Sequence, residues 1–247
     1  MKFKQHFSGS SGNLYTIRSG KARIIIECGV VWSKFRESLG SDLTGIEGCF
    51  VSHYHQDHSK SAKQAVINGI DLYASADTIE YVDEYVKPKS FKLTGHRRVR
   101  RVGIGTMIYL KSFEVYCFET LHDCPGSLGF VVYEKSTGEY LLFATDTKCI
   151  IPEFKRKFSI IAIEASFDGD TLARKVKSGE VNKKLAERLL DSHQEIHEAL
   201  RYITEFCDKS KLHEIHILHM SGRNSDKAKT KKLFEDKLMI DTIYCER

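Results

Sequence analysis

The sequence predicts an α/β fold, a four-layer αββα sandwich in which two packed sheets are flanked by helices. Three observations carry that expectation. Short β-branched or aromatic runs punctuated by glycines fill the first half, helical segments are inserted among them, and the second half again runs strand then helix. No Pro- or Ser-rich linker and no repeat or low-complexity tract interrupts the chain, so residues 1–247 read as one domain. At 247 residues, 41% hydrophobic and 29% charged, there is ample chain to bury a full core.

Taken in order, strands are expected at 15–18, 22–27, 48–52, 71–74, 107–110, 113–119, 128–134 and 140–144, each apolar on alternate residues or throughout. Between them, 59–68 and 76–86 have helical spacing, and the second of these must stop before Pro88, which cannot continue a helix. The second half adds an apolar strand at 160–164, helices at 182–190 and 194–207, a strand at 214–218 and a basic helix at 226–238.

The residues that carry chemistry begin with the hexapeptide His53-Tyr54-His55-Gln56-Asp57-His58, which puts four ligand-type side chains into one turn after an apolar run. Imidazole and carboxylate together suit zinc, manganese or iron, and a second ligand cluster would allow two ions about 3.5 to 4 Å apart. His53 and His55 are two apart, so in extended chain they share a side, while Asp57 and His58 open the following helix. Further candidates stand at strand ends: His122 after the strand ending near Glu119, Asp146 after 141–144, and His219 closing 214–218. Side chains gathered where loops meet a rigid sheet are what a preorganised site requires.

Composition excludes other classes. Lys and Arg exceed Asp and Glu by 38 to 33, and a net charge of +5 favours a phosphate-bearing substrate without marking a long nucleic-acid track. The seven cysteines are odd in number and contain no Cys-x-x-Cys pair, so neither a disulfide framework nor a thiolate zinc site is expected, and a reducing cytoplasm fits. The longest apolar stretch, 24–32, is interrupted by Glu27 and too short to cross a bilayer, and no export signal is expected.

These motifs resemble the metallo-β-lactamase superfamily, whose five motifs match His53/His55/Asp57/His58, His122, Asp146 and His219 in order. The opening Phe7-Ser8-Gly9-Ser10-Ser11-Gly12-Asn13, the stretch Ala144-Thr145-Asp146-Thr147 and the ending Leu218-His219-Met220-Ser221 are similar to the branch that holds the WalJ/YycJ nucleases and the phage anti-Pycsar cyclic-nucleotide phosphodiesterases. The resemblance implies two divalent ions per chain, zinc or manganese, one held by His53, His55 and His122, the other by Asp57, His58 and His219, with Asp146 bridging. It also implies a homodimer. Two departures stand out: Glu27-Cys28 where the family usually has an aspartate, and Ser192-His193-Gln194-Glu195 where the nuclease branch has Gly-His-Leu-Ser.

Two such ions would activate water and neutralise charge on a phosphate in flight, so no protein nucleophile is needed. Asp57 is expected both to ligate and to orient the attacking water. For the leaving oxygen the candidate proton donor is His193, also a substrate-binding residue, because Ser192-x-x-Glu195 reads as a capping box that puts it in the first turn of the helix to about Cys207. His6, His96, His197, His213 and His216 read as structural or surface residues. The basic run 96–101 and the lysines at 227, 229, 231 and 232 lack aromatic interleaving, and Ser8 to Asn13 reads as a tight turn rather than a phosphate cradle.

The function expected is a dinuclear phosphodiesterase; the sandwich uses up the length that an RNA-gripping arm would need, which favours a compact substrate, and the resemblance to the anti-Pycsar enzymes implies 3′,5′-cyclic nucleotides before DNA or RNA. Thioester hydrolysis shares the hexapeptide and is the competing reaction. A protein that binds nucleotide without turnover is the competing class, disfavoured by the complete ligand set.

Overall fold

The computed structural model describes residues 1–40, 42–154, 156–222 and 224–245. Among the described residues thirteen strands form two sheets, of six and seven strands, and the chain divides into two compact units.

The first unit comprises Met1–Phe118 with Cys124–Glu139. Its elements are β1 (Lys2–Phe7), β2 (Leu14–Ser19), β3 (Ala22–Ile26), α1 (Trp32–Ser38), β4 (Ile46–Phe50), α2 (Gln56–Ser59), α3 (Ala62–Ile67), β5 (Leu72–Ala74), α4 (Ala76–Tyr85), β6 (Val99–Arg101), β7 (Met107–Tyr109), β8 (Phe113–Glu119) and β9 (Leu128–Glu134). The six-stranded sheet runs β1 to β6 in sequence order; β1, β2 and β3 are antiparallel neighbours, whereas β3 to β6 are parallel, with Ile25 opposite Cys49 and Leu72 opposite Val99. A parallel strand is covered on both faces, which is why Ile24, Ile25, Ile26, Cys49 and Phe50 are all buried. Leu14, Phe35, Val51, Ile79 and Val82 pack into one core with Ile25 and Cys49.

Helix α4 starts where the Ser75 side chain accepts from the Thr78 amide and ends at Tyr85, ahead of Pro88. Its end is met by the buried Lys63, whose Nζ donates to Asp83 O at 3.4 Å within the helix and to Val86 O at 2.8 Å and Pro88 O at 3.0 Å just beyond it.

The second unit comprises Glu119–Asp123 and the chain from Tyr140 on. Its elements are β10 (Glu139–Ala144), β11 (Phe158–Glu164), α5 (Gly169–Lys177), α6 (Lys183–Ser192), α7 (Ile196–Phe206), β12 (Glu214–Leu218), α8 (Lys227–Leu238) and β13 (Asp241–Tyr244). Strands β10, β11, β12 and β13 are parallel neighbours in that order, and every residue of β11 is buried. No helix among the described residues is long and apolar enough to cross a membrane.

The two-sheet α/β class is as expected. Five elements escape sequence reading for identifiable reasons. β1 is half lysine and glutamine, with only Phe3 and His6 fully buried. β6 lies inside the basic run and pairs through its backbone with β5. Helices α1 and α5 bury one residue each, Phe35 and Leu172, and β13 is four residues long.

Candidate metal centre

Both units place their candidate residues at the carboxyl ends of parallel strands, where loops leave a rigid sheet and ligands commonly bind. In the first unit Glu27 follows β3 and His53 follows β4 closely. His53 is fully buried; Ser52 Oγ lies 2.8 Å from its Nδ1, and its Nε2 is 3.1 Å from His55 Nδ1. The rings of His53 and His58 lie 4.0 Å apart. His58 Nδ1 is 3.5 Å from Glu27 Oε1, and its Nε2 is 3.6 Å from Asp57 Oδ2. All four hexapeptide ligands therefore converge.

The convergence is built by backbone. Asn13 donates through its main chain and its side chain to Asp57 O, at 2.7 and 3.1 Å, and its Nδ2 is 3.0 Å from His58 Nε2. Its Oδ1 accepts from Gly9 N and from the Tyr15 hydroxyl, each at 2.9 Å, so the glycine-rich opening is a turn that clamps the ligand segment. Gly29 lies so close that a Cβ there would sit 1.5 Å from Asp57 O. Glycine is required at 29 because backbone meets backbone.

Burial pushes the Glu27 carboxyl above its ordinary range, and the nearby His58 only partly opposes this. Cys124 is also buried, and its sulfur lies within 4.8 Å of ligand atoms of both His53 and His55. Sequence spacing offered no sign of it, because Cys124 has no partner cysteine nearby in the chain.

In the second unit Asp146 follows β10, Glu164 ends β11 and His219 follows β12. His219 Nε2 and His122 Nε2 lie 3.7 and 4.0 Å from Asp146 Oδ2. Thr145 Oγ1 donates to Asp146 Oδ1 at 2.7 Å. His122 Nδ1 is 2.8 Å from Ser192 O, which fixes the proton on Nδ1 and turns Nε2 inward. The His193 ring stacks on His219 at 5.3 Å and 3°, and its Nδ1 is 2.6 Å from Glu164 Oε1.

Glu164 is the candidate-site residue that sequence reading missed. Its other oxygen accepts from Thr147 N at 2.8 Å and from Gln194 N at 3.4 Å. Burial would raise its carboxyl, but His193, by charge and by hydrogen bond, outweighs burial and holds it below the ordinary range. The same pair acts on His193, where burial works downward and the Glu164 charge prevails, so the imidazole is held above its usual value. The available clue was an acid closing an otherwise fully apolar strand.

The helix-start placement of His193 is corrected. His193 is the C-cap of α6 in extended conformation, and α7 begins after Glu195, which accepts from His197 N and Glu198 N. The capping-box reading fails because Ser192 Oγ donates instead to Arg188 O. His193 is positioned by Glu164 and not by a helix dipole.

Asp146, Glu164, His193 and His219 each offer a ligand atom within 4.8 Å of the others. Imidazoles whose second nitrogen is held by a carbonyl or carboxylate, next to a buried aspartate, form a donor set that fits a divalent metal. Three candidate-site residues, Glu27, Asp146 and His219, adopt left-handed backbone at φ 65°, 45° and 49°. Strain of this kind, at non-glycine residues, gathers at functional sites.

Comparison with known proteins agrees with this picture. The model of a family described as a beta-lactamase superfamily domain matches residues 22–217, which takes in every candidate but His219, two residues further on. No curated protein matches. Among solved structures, the chain is similar to the metallo-beta-lactamase fold protein YhfI from Bacillus subtilis, with 14% identity, TM-score 0.70 and coverage of 98% of this chain and 95% of that one. It is similar to the short form of human tRNase Z, with 14% identity, TM-score 0.66 and coverage of 100% and 96%. It is likewise similar to a diphosphatase of the PhnP family, with 14% identity, TM-score 0.66 and coverage of 98% and 94%. At such identities these likenesses carry the fold alone. With a family match spanning most of its length and ligand clusters at the strand ends, the chain belongs to the beta-lactamase superfamily and is a hydrolase of metallo-β-lactamase fold.

Proposed function

We propose that the chain is a metal-dependent phosphodiesterase, acting as one metallo-β-lactamase-like domain over residues 1–247, with 3′,5′-cyclic nucleotides as its substrates. The observation that carries the phosphodiesterase reading is the second unit's cluster, in which the carboxylate-held imidazole of His193 stands beside Asp146 and His219. The ligand assignment implied by the resemblance belongs to this proposal: His53, His55 and His122 for one ion, Asp57, His58 and His219 for the other, and Asp146 for both. Bound divalent ions supply Lewis acidity toward the phosphate oxygens and make water acidic enough to attack near neutral pH.

The protein's own groups supply the rest. Asp57, at the start of α2 and partly exposed, orients the attacking water and accepts its proton. His193 keeps its Nδ1 proton on Glu164, so Nε2 is the atom that donates to the leaving oxygen and binds substrate. Glu164 is a positioning residue, since it holds the ring and favours its charged form. The proposal further places the enzyme in the cytoplasm, on its seven cysteines without a Cys-x-x-Cys pair, and makes it the homodimer that the resemblance implies.

The second reading, a DNA or RNA exonuclease, is favoured by a groove beside the hexapeptide described below. One panel tests the order: protein with Mn²⁺ or Zn²⁺ against cyclic CMP, UMP, AMP and GMP, linear duplex DNA, single-stranded RNA and a glutathione thioester, alongside a metal titration. Hydrolysis of cyclic nucleotides with two ions per chain is expected. Degradation of nucleic acid with cyclic nucleotides untouched reverses the order; turnover of the thioester alone removes the phosphodiesterase reading. No turnover at all with ions bound leaves a nucleotide-binding protein. Asp57→Ala is expected to lose activity by more than it loses metal, and full rate with full metal would refute its role.

A further inference from the structure

Beside the hexapeptide, the first unit carries a groove of about 510 Å³ whose lining includes Trp32, Gln56, Lys60, Gln64, Tyr85 and Lys87. Its volume is in the range of small-ligand sites. Gln56 belongs to the ligand hexapeptide, and a row of rings links the two places. His55 meets Tyr54 edge-on at 5.3 Å, Tyr54 stacks on Tyr81 at 4.4 Å and 16°, and Tyr81 meets Tyr85 at 4.6 Å. Tyr85, at the far end, is 52% exposed.

The groove is cationic. Lys60 and Lys87 have no ion-pair partner among the described residues, and its lining contains no acid. Glu84, next to Tyr85 in the chain, holds the phenol above its ordinary range, so that ring stays neutral. The groove also contains an unmet acceptor: Gln64 Oε1 is buried without a hydrogen-bond partner, while Nε2 of the same amide donates to Lys87 O at 3.4 Å. A buried orphan acceptor calls for a donor, and nucleobases present amino and imino N–H groups.

We propose that this groove binds single-stranded nucleic acid. A base packs against Tyr85 and Trp32, backbone phosphates lie on Lys60 and Lys87, and the Gln64 side chain turns so that Oε1, enclosed in the free protein, accepts from a base N–H. Aromatic faces alternating with lysines are how such strands are gripped without strict sequence preference. Three ring contacts separate His55 from Tyr85 at the groove's far end, while Gln56 brings its near end against the hexapeptide. An occupant that reached both would be a chain, not a mononucleotide. The proposal rests on the phosphodiesterase reading in its nucleic-acid form, yet its test needs no turnover.

The test is fluorescence anisotropy of the full chain, in EDTA, with labelled oligo(dT) and oligo(U). Tyr85→Ala is expected to weaken binding about ten-fold, the loss of one stacked base. Lys60→Ala with Lys87→Ala is expected to weaken it and to flatten the plot of log affinity against log salt by about 1.4, two single-strand phosphate contacts. Lys184→Ala, on α6 in the second unit, serves as the control and should bind as wild type. Circular dichroism confirms that each variant is folded. Wild-type affinity and salt slope in both groove variants would overturn the proposal, as would binding of duplex but not of single strands. If single strands bind as expected but no phosphodiester is hydrolysed with metal, the groove stands and the enzymatic reading falls. If cyclic nucleotides are hydrolysed and single strands do not bind, the reverse holds.

Discussion

In the first unit four ligand-type side chains arrive within six residues, His53 to His58, whereas in the second Asp146, Glu164, His193 and His219 come from four separate places along the chain. The two regions are secured differently. The contiguous ligands are clamped by main chain: Asn13 on Asp57 O, and the close approach of Gly29. The dispersed ones are gathered by a carboxylate, Glu164, which binds His193 at 2.6 Å and takes two backbone N–H groups. Glu27 occupies the matching place after its own strand but stands 3.5 Å from His58, and burial wins there while charge wins at Glu164. Both Glu27 oxygens also accept from Ser52 N, at 3.3 and 3.4 Å, so the contrast lies in how close the partner imidazole stands: the nearer it is, the more its charge offsets burial.

The largest effect that would break this contrast comes from Glu164→Gln against Glu27→Gln. Removing the Glu164 charge leaves His193 and its neighbours unmatched, so a loss of about 3 to 5 kcal/mol in urea unfolding of the metal-free protein is expected. Activity should fall about 10- to 100-fold. Glu27→Gln mimics the protonated form toward which burial pushes this carboxyl and should cost less than about 1.5 kcal/mol. Equal losses would show that the two acids do the same job.

Next in size is the backbone contrast. Gly29→Ala should destabilise by about 3 kcal/mol, since the new methyl meets the Asp57 carbonyl directly. Gly169→Ala, where nothing lies nearer than 3.7 Å, should be neutral or stabilising by up to about 1 kcal/mol in the same unfolding series.

In metal-free protein, pH separates the acids by sign. Glu164, held low, contributes stability that is present above the unfolded carboxyl value of about 4.3 and lost as pH falls. Glu27, held high, contributes stability that is present below that value and lost as pH rises toward its folded value. The acid limb of a denaturation series should therefore flatten in Glu164→Gln and steepen in Glu27→Gln; movement in the same direction would refute the assignment. The smallest effect is spectroscopic. The proposed ligand set holds no thiolate, so with Co²⁺ loaded no thiolate charge-transfer band in the near ultraviolet is expected; a band that vanishes in Cys124→Ser would add Cys124, whose sulfur lies near His53 and His55, to the coordination sphere.

Legibility in the sequence follows the same division. The hexapeptide could be read because its ligands are neighbours, and β8, β9 and β12 because their apolar runs are bounded by turns. Asp146 and His219 were legible as polar residues closing apolar strands. Glu164 was not, because its meaning depends on His193, 29 positions away, and on a strand pairing that places β11 between β10 and β12. His193 was singled out for a helix start that does not exist, since Ser192 and Glu195 serve different helices. Cys124 and the Tyr54–Tyr81–Tyr85 stack were invisible for the same reason: separated residues meet only through packing.

The left-handed turns at Glu27, Asp146 and His219 bear on any attempt to move this chemistry elsewhere. Each aims its carboxylate or imidazole by bending the main chain just beyond a strand, at a cost of about 1 to 3 kcal/mol that the surrounding sheet must absorb. A designer who transplants the side chains onto relaxed loops would inherit the right functional groups pointing in the wrong directions.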